Sequence, residues 1–281
     1  MKVLIVGAKG MLGQEIVQVF GNSKDFEITA WDRLDIDITN FSLAQEKINS
    51  LKPELIVNCA AYNNVDQAEV DSELAYLLNF EAVENLATIS ASTGATFIHF
   101  STDYIFDGLK KEGYEENDEP KPAGVYAQSK LAGEKAVQRV GGKYYLIRLS
   151  RLFGKPAASE NAKKSFVDIM LALSKSKSEI EVVDEEFSSP TYAPDLARAT
   201  LDVIKFRSPY GIYHRTNDVA CTWFEFAREI FKQKNIQVKL IPVSGDKFAR
   251  KAKRPSYSRL ISTKLPALRP WQSALQEYLS D

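Results

Sequence analysis

Short runs of β-branched and aromatic residues alternate with longer amphipathic segments through the first 150 residues of the chain. The apolar runs have the length and composition of buried strands, and the segments between them repeat apolar residues three and four positions apart, as helices do. The predicted strands are KVLIV, FEITAW, ELIVNCAA, ATFIHFSTD and YYLIRLS. Successive βα units of this kind predict an α/β fold, a doubly wound parallel sheet of the Rossmann type with helices on both faces.

The pattern changes after Leu152, where the polar connection KPAASENAKKS leads into shorter elements. We therefore predict a first domain over residues 1–152 and a smaller C-terminal lobe over residues 153–281. A strand at EIEVVD and the helix that follows it, near residues 180–205, are expected to return to the first domain. TWFEFAREIFKQK and PWQSALQEYL predict helices of the smaller lobe.

The composition narrows the class of partner. A formal charge of -1 and a pI of about 6.2 provide no field that would attract nucleic acid or an anionic membrane, so we expect a small-molecule ligand and neither of those partners. Cys59 and Cys221 lie far apart without a CxxC spacing, which favours neither a disulfide framework nor a metal site. Glycines interrupt the apolar run of MKVLIVGAKG and no stretch reaches the length of a membrane span, so we expect a cytoplasmic protein.

Three glycines, Gly7, Gly10 and Gly13, follow the first predicted strand and open the first helix. Glycine at these positions permits a tight turn, lets backbone N–H groups approach a pyrophosphate at the helix N-terminus, and allows the helix to pack closely on the strand. A glycine-rich turn that binds nothing is the simpler alternative. The strand–turn–helix context favours a dinucleotide site, which includes Met11 and Leu12 between the glycines.

The end of the second predicted strand carries the residues that distinguish NAD from NADP. Asp32 can accept hydrogen bonds from an adenosine ribose, which favours NADH, whereas the adjacent Arg33 can pair with a 2′-phosphate, which favours NADPH. We expect either cofactor to bind, with NADPH favoured. In DIDIT, Asp37 and Ile38 are expected at the adenine, although Asp37 fits the N-cap of a helix equally well.

Hydroxyl groups cluster in FSTDYIFDG, where the fourth predicted strand ends. Thr102 thereby lies at the carboxyl edge of the sheet, where open α/β folds bind ligands. Tyr126 and Lys130, one helical turn apart in VYAQSK, face the same edge from the next βα unit. About one Tyr-x-x-x-Lys spacing is expected by chance in such a chain, so an exposed surface pair is the alternative.

These three residues match the requirements of ketone reduction by hydride transfer. An acid must protonate the oxygen as negative charge develops, and a phenol with a pKa of about 10 is too weak unless a neighbouring cation favours its ionised form. We expect Tyr126 to be that acid and Lys130 to supply the cation. Thr102 is expected to donate a hydrogen bond to the carbonyl oxygen.

Motifs along the whole chain carry a resemblance to the extended short-chain dehydrogenase/reductases, specifically the dTDP-4-dehydrorhamnose reductases. They are the glycine turn, NCAAYNNVDQAE, FSTDYIFDG, YAQSK, RLSRLFG, SSPTYAPDLA, GIYHRTND, TWFEFAREIF, RPSYS and PWQSALQEYL. The resemblance implies NAD(P)H-dependent reduction of the 4-keto group of dTDP-4-dehydro-L-rhamnose to dTDP-L-rhamnose, with Thr102, Tyr126 and Lys130 as the catalytic triad. It also implies that the first domain binds NAD(P) and that the second lobe mainly binds substrate.

The same resemblance implies two sets of binding residues. The stretch after the third strand would line the cofactor, through Ala60, Ala61 and Tyr62. The residues that would contact the sugar nucleotide are Val65, Thr102, Asp103, Tyr104, Arg151 and Arg254.

Some positions depart from the reductase pattern on the substrate side. Arg151 in RLSRLFG stands where tryptophan is usual, and Glu185 and Ser188 stand where glutamine and glycine are commoner. An arginine could stack on a base or pair with a phosphate. The basic stretch KFARKAKR predicts a solvated helix face, with a contribution to the substrate diphosphate as the alternative and Arg254 as the best candidate for it.

Other functions stay open at this point. A related epimerase or dehydratase would retain its nicotinamide nucleotide through turnover, and a non-catalytic protein similar to the regulatory subunit of methionine adenosyltransferase would bind the nucleotide and a partner protein. His99 and His214 lie in strand-like runs without nearby acidic or cysteine partners at ligand spacing, so we expect packed histidines and no metal. A homodimer is possible.

Overall fold

The computed structural model describes residues 1–158 and 164–280. Its strands are β1 Lys2–Val6, β2 Glu27–Trp31, β3 Leu55–Asn58, β4 Thr96–Thr102, β5 Lys143–Leu149, β6 Leu152–Phe153, β7 Glu179–Val183, β8 Thr191–Tyr192, β9 Gly211–His214 and β10 Lys239–Val243. Its α-helices are α1 Met11–Gly21, α2 Phe41–Leu51, α3 Ser72–Tyr76, α4 Ala82–Thr93, α5 Val125–Val140, α6 Phe166–Leu173, α7 Ala193–Lys205, α8 Trp223–Gln233 and α9 Trp271–Ser280. A π-helical turn, Leu77–Glu81, joins α3 to α4.

The large sheet has six parallel strands in the order β2-β1-β3-β4-β5-β9. The chain leaves β1 towards β2 on one side and then returns to place β3 on the other side. That reversal of direction puts the carboxyl ends of β1 and β3 at the switch point, where doubly wound folds bind their ligands. The predicted α/β fold of the Rossmann type is confirmed, and its first five strands are the five predicted ones.

Successive side chains of β1 point to opposite faces of the sheet, and each face is covered by a separate apolar core. Val3 and Ile5 join the core that packs under α1 and α7, whereas Leu4 and Val6 join the core under α2 and α4. Burial on both faces explains why the strands of this sheet read as continuous apolar runs. The rigid scaffold therefore fixes the loops at its carboxyl edge.

The smaller lobe is built on two short parallel strand pairs, β7 with β10 and β6 with β8. Helices α6, α8 and α9 cover them around a third core that contains Phe153, Phe226 and Trp271. Phe226 contacts Trp271 edge to face, with ring centroids 5.1 Å apart. This aromatic core is distinct from the two cores of the large sheet.

The strand near residue 180 does not return to the large sheet, which corrects the prediction. β7 pairs with β10, and Glu179 and Glu181 alternate with buried residues along it, as in a strand that is covered on one face. The edge place beside β5 is taken by β9 instead. Helix α7 does lie on the large sheet, packed against α1.

The basic stretch at residues 247–254 is not a helix, so the predicted helix face is wrong. A 3-10 turn, Gly245–Lys247, precedes irregular backbone. Lys247 pairs with Glu181, and Arg250 pairs with Glu186. In the described part of the chain, no helix combines the length and apolar character needed to cross a membrane.

Candidate active site

The glycine turn after β1 has no room for side chains. Gly7 adopts a φ of +73°, and a Cβ there would lie 2.7 Å from the backbone nitrogen of Ala60. A Cβ on Gly13 would lie 2.1 Å from the carbonyl oxygen of Gly7, so α1 can approach the strand only without it. The turn therefore combines a left-handed backbone with close packing of two elements, as a dinucleotide fingerprint requires.

The N-terminus of α1 presents uncapped backbone N–H groups. Gly10 is the N-cap and provides no side-chain acceptor, and the first turn of the helix contains no acidic residue. Met11 and Leu12 form that first turn. An anion can therefore take up the N–H groups and gain from the helix dipole. These features fit a bound pyrophosphate.

The loop that follows β2 carries the exposed cation Arg33 together with the carboxylates of Asp35 and Asp37. Arg33 is exposed, and its charge contributes to the low pKa of Asp37. The main cause of that low pKa is Thr39, which donates to Asp37 Oδ1 from both its hydroxyl group, at 2.7 Å, and its backbone N–H, at 2.9 Å. The alternative that Asp37 is a helix N-cap is wrong, because Asn40 caps α2 by accepting a hydrogen bond from a backbone N–H of the helix.

Residues after β3 lie directly against the glycine turn. The backbone N–H of Ala60 donates to Asn58 Oδ1 at 3.1 Å, and the N–H of Tyr62 donates to Asn79 Oδ1 at 2.9 Å. Ala60, Ala61 and Tyr62 are all half-buried. Ile38 is buried in the same apolar core against which Ala60 packs. The residues predicted at the cofactor after β1 and after β3 thus lie at one edge of the sheet.

At the end of β4, Thr102 and Asp103 form the centre of a buried polar cluster. Thr102 Oγ1 accepts from the N–H of Tyr104 at 3.2 Å and donates to Asp103 Oδ1 at 3.2 Å. Asp103 Oδ2 accepts from the hydroxyl groups of Ser188, at 3.0 Å, and Ser258, at 2.5 Å. Burial raises the pKa of Asp103 to about 6, against the lowering effect of these hydrogen bonds.

Tyr126 lies in the first turn of α5, 9% exposed, beside this cluster. Its ring contacts Tyr104 edge to face at 6.2 Å. Burial raises its pKa, and the neighbouring Thr102 hydroxyl group opposes the rise. Both tyrosines line a narrow cleft together with Val65 and Arg254. A phenol, a hydroxyl group and a cleft therefore meet at the predicted edge of the sheet.

Lys130 is buried one turn further along α5, but it does not act on Tyr126 as expected. Its Nζ donates to the carbonyl oxygen of Phe100 at 2.6 Å and lies 3.3 Å from His99 Nε2. Burial lowers the pKa of Lys130 to about 8, although the charge of Glu134 favours the protonated form. The pKa of Tyr126 is therefore raised by burial and not lowered by the lysine, because the lysine side chain lies along β4.

The arginines predicted at the substrate are both held by protein groups. Arg151 donates to two backbone carbonyl oxygens and stacks on Trp223, with its Cζ atom 4.0 Å from the ring centroid. Arg254 makes a two-pronged contact with Asp66, at 2.8 and 2.7 Å, although it also lines the cleft. Burial lowers the pKa of Arg151, whereas the hydrogen bond with Asp66 raises that of Arg254.

Several residues of this site were not found by sequence reasoning. Asn58 holds His99, with Nδ2 3.2 Å from Nδ1 of the imidazole, and Ser258 and Asp66 hold residues that were predicted. Asn58, Asp66 and Ser258 stand out in the sequence only because they lie within the quoted motifs, and a motif does not say what each side chain contacts. His214 is also packed, with its Nδ1 3.0 Å from the carbonyl oxygen of Ile261, and burial lowers its pKa to about 4.

The sheet and the glycine turn define an α/β protein of the dinucleotide-binding class. The family model described as RmlD substrate binding domain matches residues 1–281. The chain belongs to this family.

Characterised relatives and solved structures cover almost the full chain. The spore coat polysaccharide biosynthesis protein SpsK of Bacillus subtilis is 33% identical over 100% of this chain and 97% of its own. A dTDP-4-dehydrorhamnose reductase of Aggregatibacter actinomycetemcomitans is 34% identical over 98% of this chain and 97% of its own. A structure of the Clostridium acetobutylicum dTDP-4-dehydrorhamnose reductase is 39% identical with a TM-score of 0.94, over 100% and 99% of the two chains.

A structure of the Bacillus anthracis dTDP-4-dehydrorhamnose reductase in complex with NADP is 37% identical, with a TM-score of 0.93, over 99% of this chain and 98% of that chain. A Thermus thermophilus UDP-glucose 4-epimerase in complex with NAD is 19% identical with a TM-score of 0.81, over 100% and 98% of the two chains, which shows a common fold.

Proposed function

We propose that this protein is an NAD(P)H-dependent reductase of dTDP-4-dehydro-L-rhamnose, which forms dTDP-L-rhamnose. The observation that carries the proposal is the place of Tyr126, whose phenol lies beside Thr102 and lines a cleft at the same sheet edge as the glycine turn. The reductases named above share more than a third of their sequence with this chain over nearly its whole length. Family and geometry support the same chemistry.

The groups present fit a nicotinamide dinucleotide. The uncapped start of α1 suits a pyrophosphate, and the absence of side chains at Gly7 and Gly13 lets the helix approach the strand and the backbone of Ala60. When bound, reduced nicotinamide supplies a hydride to the carbonyl carbon of the substrate. The chain's own residues then deal with the negative charge that develops on the oxygen.

Tyr126 donates its phenolic proton to that oxygen, so the ketone becomes an alcohol and the tyrosine regains a proton from solvent. Thr102 stabilises the developing charge once its single O–H hydrogen, which bonds Asp103 Oδ1 at 3.2 Å, turns to the substrate oxygen. Lys130, with its pKa lowered to about 8 by burial, can give up or take up a proton near neutral pH.

NADPH is the cofactor that we favour. Arg33 is exposed next to the expected ribose site and can pair with a 2′-phosphate, and the Bacillus anthracis relative was solved in complex with NADP. Asp32, half-buried before it, can accept hydrogen bonds from a ribose hydroxyl and would permit NADH as well.

The sugar nucleotide is proposed to enter the cleft beside Tyr126. Val65 and Tyr104 provide apolar and aromatic walls, whereas Lys253 and Arg254 bring positive charge for a diphosphate. Arg254 lines the cleft while it is paired with Asp66. Cytoplasmic location and assembly as a homodimer stay predictions from the sequence.

Steady-state oxidation of NADPH with dTDP-4-dehydro-L-rhamnose tests the proposal. Equimolar loss of NADPH and formation of dTDP-L-rhamnose is the expected result. Enzyme that binds NADPH but leaves it unoxidised in the presence of this substrate would contradict the proposed function. Product formation without net consumption of the nucleotide would instead identify the epimerase or dehydratase alternative.

A further inference from the structure

The Asp103 carboxylate joins the smaller lobe to the catalytic edge of the sheet. It is 2% exposed, and its two oxygens have different partners. Oδ2 accepts hydrogen bonds from Ser188 and Ser258, which belong to two separate segments of the chain, at 3.0 and 2.5 Å. Oδ1 accepts from Thr102 Oγ1 at 3.2 Å. The position of the Thr102 hydroxyl group therefore depends on residues that approach Asp103 from the other side.

Ser188 is itself held in place by Arg151. Ser188 pairs with Cys221 through two backbone hydrogen bonds, of 3.2 and 3.0 Å. Arg151 Nη1 donates to the same carbonyl oxygen of Cys221 at 2.8 Å, and Nη2 donates to the carbonyl oxygen of Glu186 at 2.6 Å. The guanidinium group thus binds the backbone on both sides of the Ser188 bridge.

The backbone of Arg151 has a conformation that its contacts must hold in place. Its φ of +42° lies in the left-handed region, which is unusual for a residue other than glycine. Such backbone persists where surrounding contacts determine it. Here those contacts are the two carbonyl oxygens and the ring of Trp223, which covers one face of the guanidinium group. Two of the guanidinium N–H donors of Arg151 are therefore directed to protein oxygens.

We propose that Arg151 and Ser188 are positioning residues for the reduction, which fix the Asp103 carboxylate and, through it, the Thr102 hydroxyl oxygen before the substrate carbonyl arrives. The proposal rests on the proposed function for its catalytic consequence. With the Thr102 oxygen held in place, rotation of its O–H bond from Asp103 Oδ1 to the substrate oxygen supplies the donor that a developing oxyanion requires.

Single and double variants test the catalytic consequence. Arg151→Ala and Ser188→Ala are each expected to lower kcat by about 10- to 100-fold while the NADPH dissociation constant stays unchanged. The kcat of the double variant should be little lower than that of the less active single variant, because both changes break one chain of contacts. Arg250→Ala is the matched control, since Arg250 pairs with the side chain of Glu186 but lies outside the path to Thr102. It should retain its kcat.

A purely structural role for Arg151 would give another pattern. Arg151→Ala, Ser188→Ala and Arg250→Ala would then lower the melting temperature alike, and kcat per folded molecule would stay at the wild-type value. That result would overturn the proposal while leaving the reductase function intact.

Hydrogen exchange tests the positioning without any substrate. The N–H of Tyr104 donates to Thr102 Oγ1, so its exchange rate reports whether that oxygen is held. We expect exchange at Tyr104 to be at least about tenfold faster in Arg151→Ala and Ser188→Ala than in Arg250→Ala. Equal rates in all three would overturn the positioning role. This measurement decides it even if the wild-type protein fails to oxidise NADPH, which would contradict only the proposed function.

Discussion

Lys130 Nζ donates a hydrogen bond to the carbonyl oxygen of Phe100 at 2.6 Å, and this contact holds the lysine against β4. The surrounding hydrogen bonds indicate its protonation state. The N–H of Ala60 orients the amide of Asn58, whose Nδ2 then faces Nδ1 of His99 at 3.2 Å. The imidazole proton is therefore left on Nε2, which faces Lys130 at 3.3 Å. An N–H donor facing Nζ disfavours the protonated amine, in agreement with the direction in which the pKa of the lysine is shifted.

Replacement of Lys130 should stabilise the protein at neutral pH. Burial lowers the pKa of Lys130 from 10.5 to about 8, so between these values the unfolded chain binds a proton that the folded chain does not. Between pH 8 and pH 10.5 the free energy of unfolding of the wild type should therefore rise relative to that of Lys130→Met. Lys130→Met should remove this rise and gain up to roughly 3 kcal/mol at pH 7.

Urea unfolding at several pH values measures this difference. Lys135→Met, at an exposed lysine of the same helix, is the control and should keep the wild-type dependence on pH. A Lys130→Met protein with the same rise between pH 8 and 10.5 would show that another group titrates there.

Removal of the Tyr126 hydroxyl group should abolish proton donation without loss of the cofactor site. We expect Tyr126→Phe to lower kcat by about 10²- to 10⁴-fold, the usual contribution of a general acid. The NADPH dissociation constant should stay within a factor of about 2, because the glycine turn is unchanged. Tyr144→Phe, at a half-buried tyrosine of β5, is the control. Turnover of Tyr126→Phe at the wild-type rate would remove this residue from the mechanism.

The exposed arginine after β2 should determine the preference for NADPH. Arg33→Ala is expected to weaken NADPH binding by about 10- to 100-fold, the range for one lost hydrogen bond to a charged group, and to leave NADH binding unchanged. Fluorescence titration with each nucleotide measures the two dissociation constants. Arg228→Ala, at an exposed arginine of α8, should change neither. An equal loss for both nucleotides would show that Arg33 does not read the 2′-phosphate.

Close packing at the glycine turn should make Gly13 intolerant of a side chain. A Cβ there would lie 2.1 Å from the carbonyl oxygen of Gly7, so Gly13→Ala must displace α1 from the strand. We expect a loss of about 1 to 3 kcal/mol in the free energy of unfolding, together with weaker NADPH binding. Gly21→Ala in the same helix meets no atom within 4 Å and should be neutral or slightly stabilising. Equal stability of the two variants would contradict the steric argument.

Local sequence patterns sufficed for the first five strands of the large sheet, but they did not predict β9 at its edge. Its strands are continuous apolar runs because both faces are covered, and this signal does not depend on which elements provide the cover. The same kind of pattern was misleading at β7, where apolar residues alternate with Glu179 and Glu181 and the strand joined β10. Strand pairing depends on partners distant in the chain, which the pattern of one strand does not identify.

The sequence by itself determined the parallel sheet, the glycine turn and the presence of Thr102, Tyr126 and Lys130 at one edge, because βα periodicity places successive loops there. Only the tertiary structure decided what those side chains contact. It placed Lys130 on Phe100 and Arg151 on the backbone around Ser188. Hydrogen-bond partners and burial set the pKa values and the orientation of each group, and both arise from segments that meet only when the chain has folded.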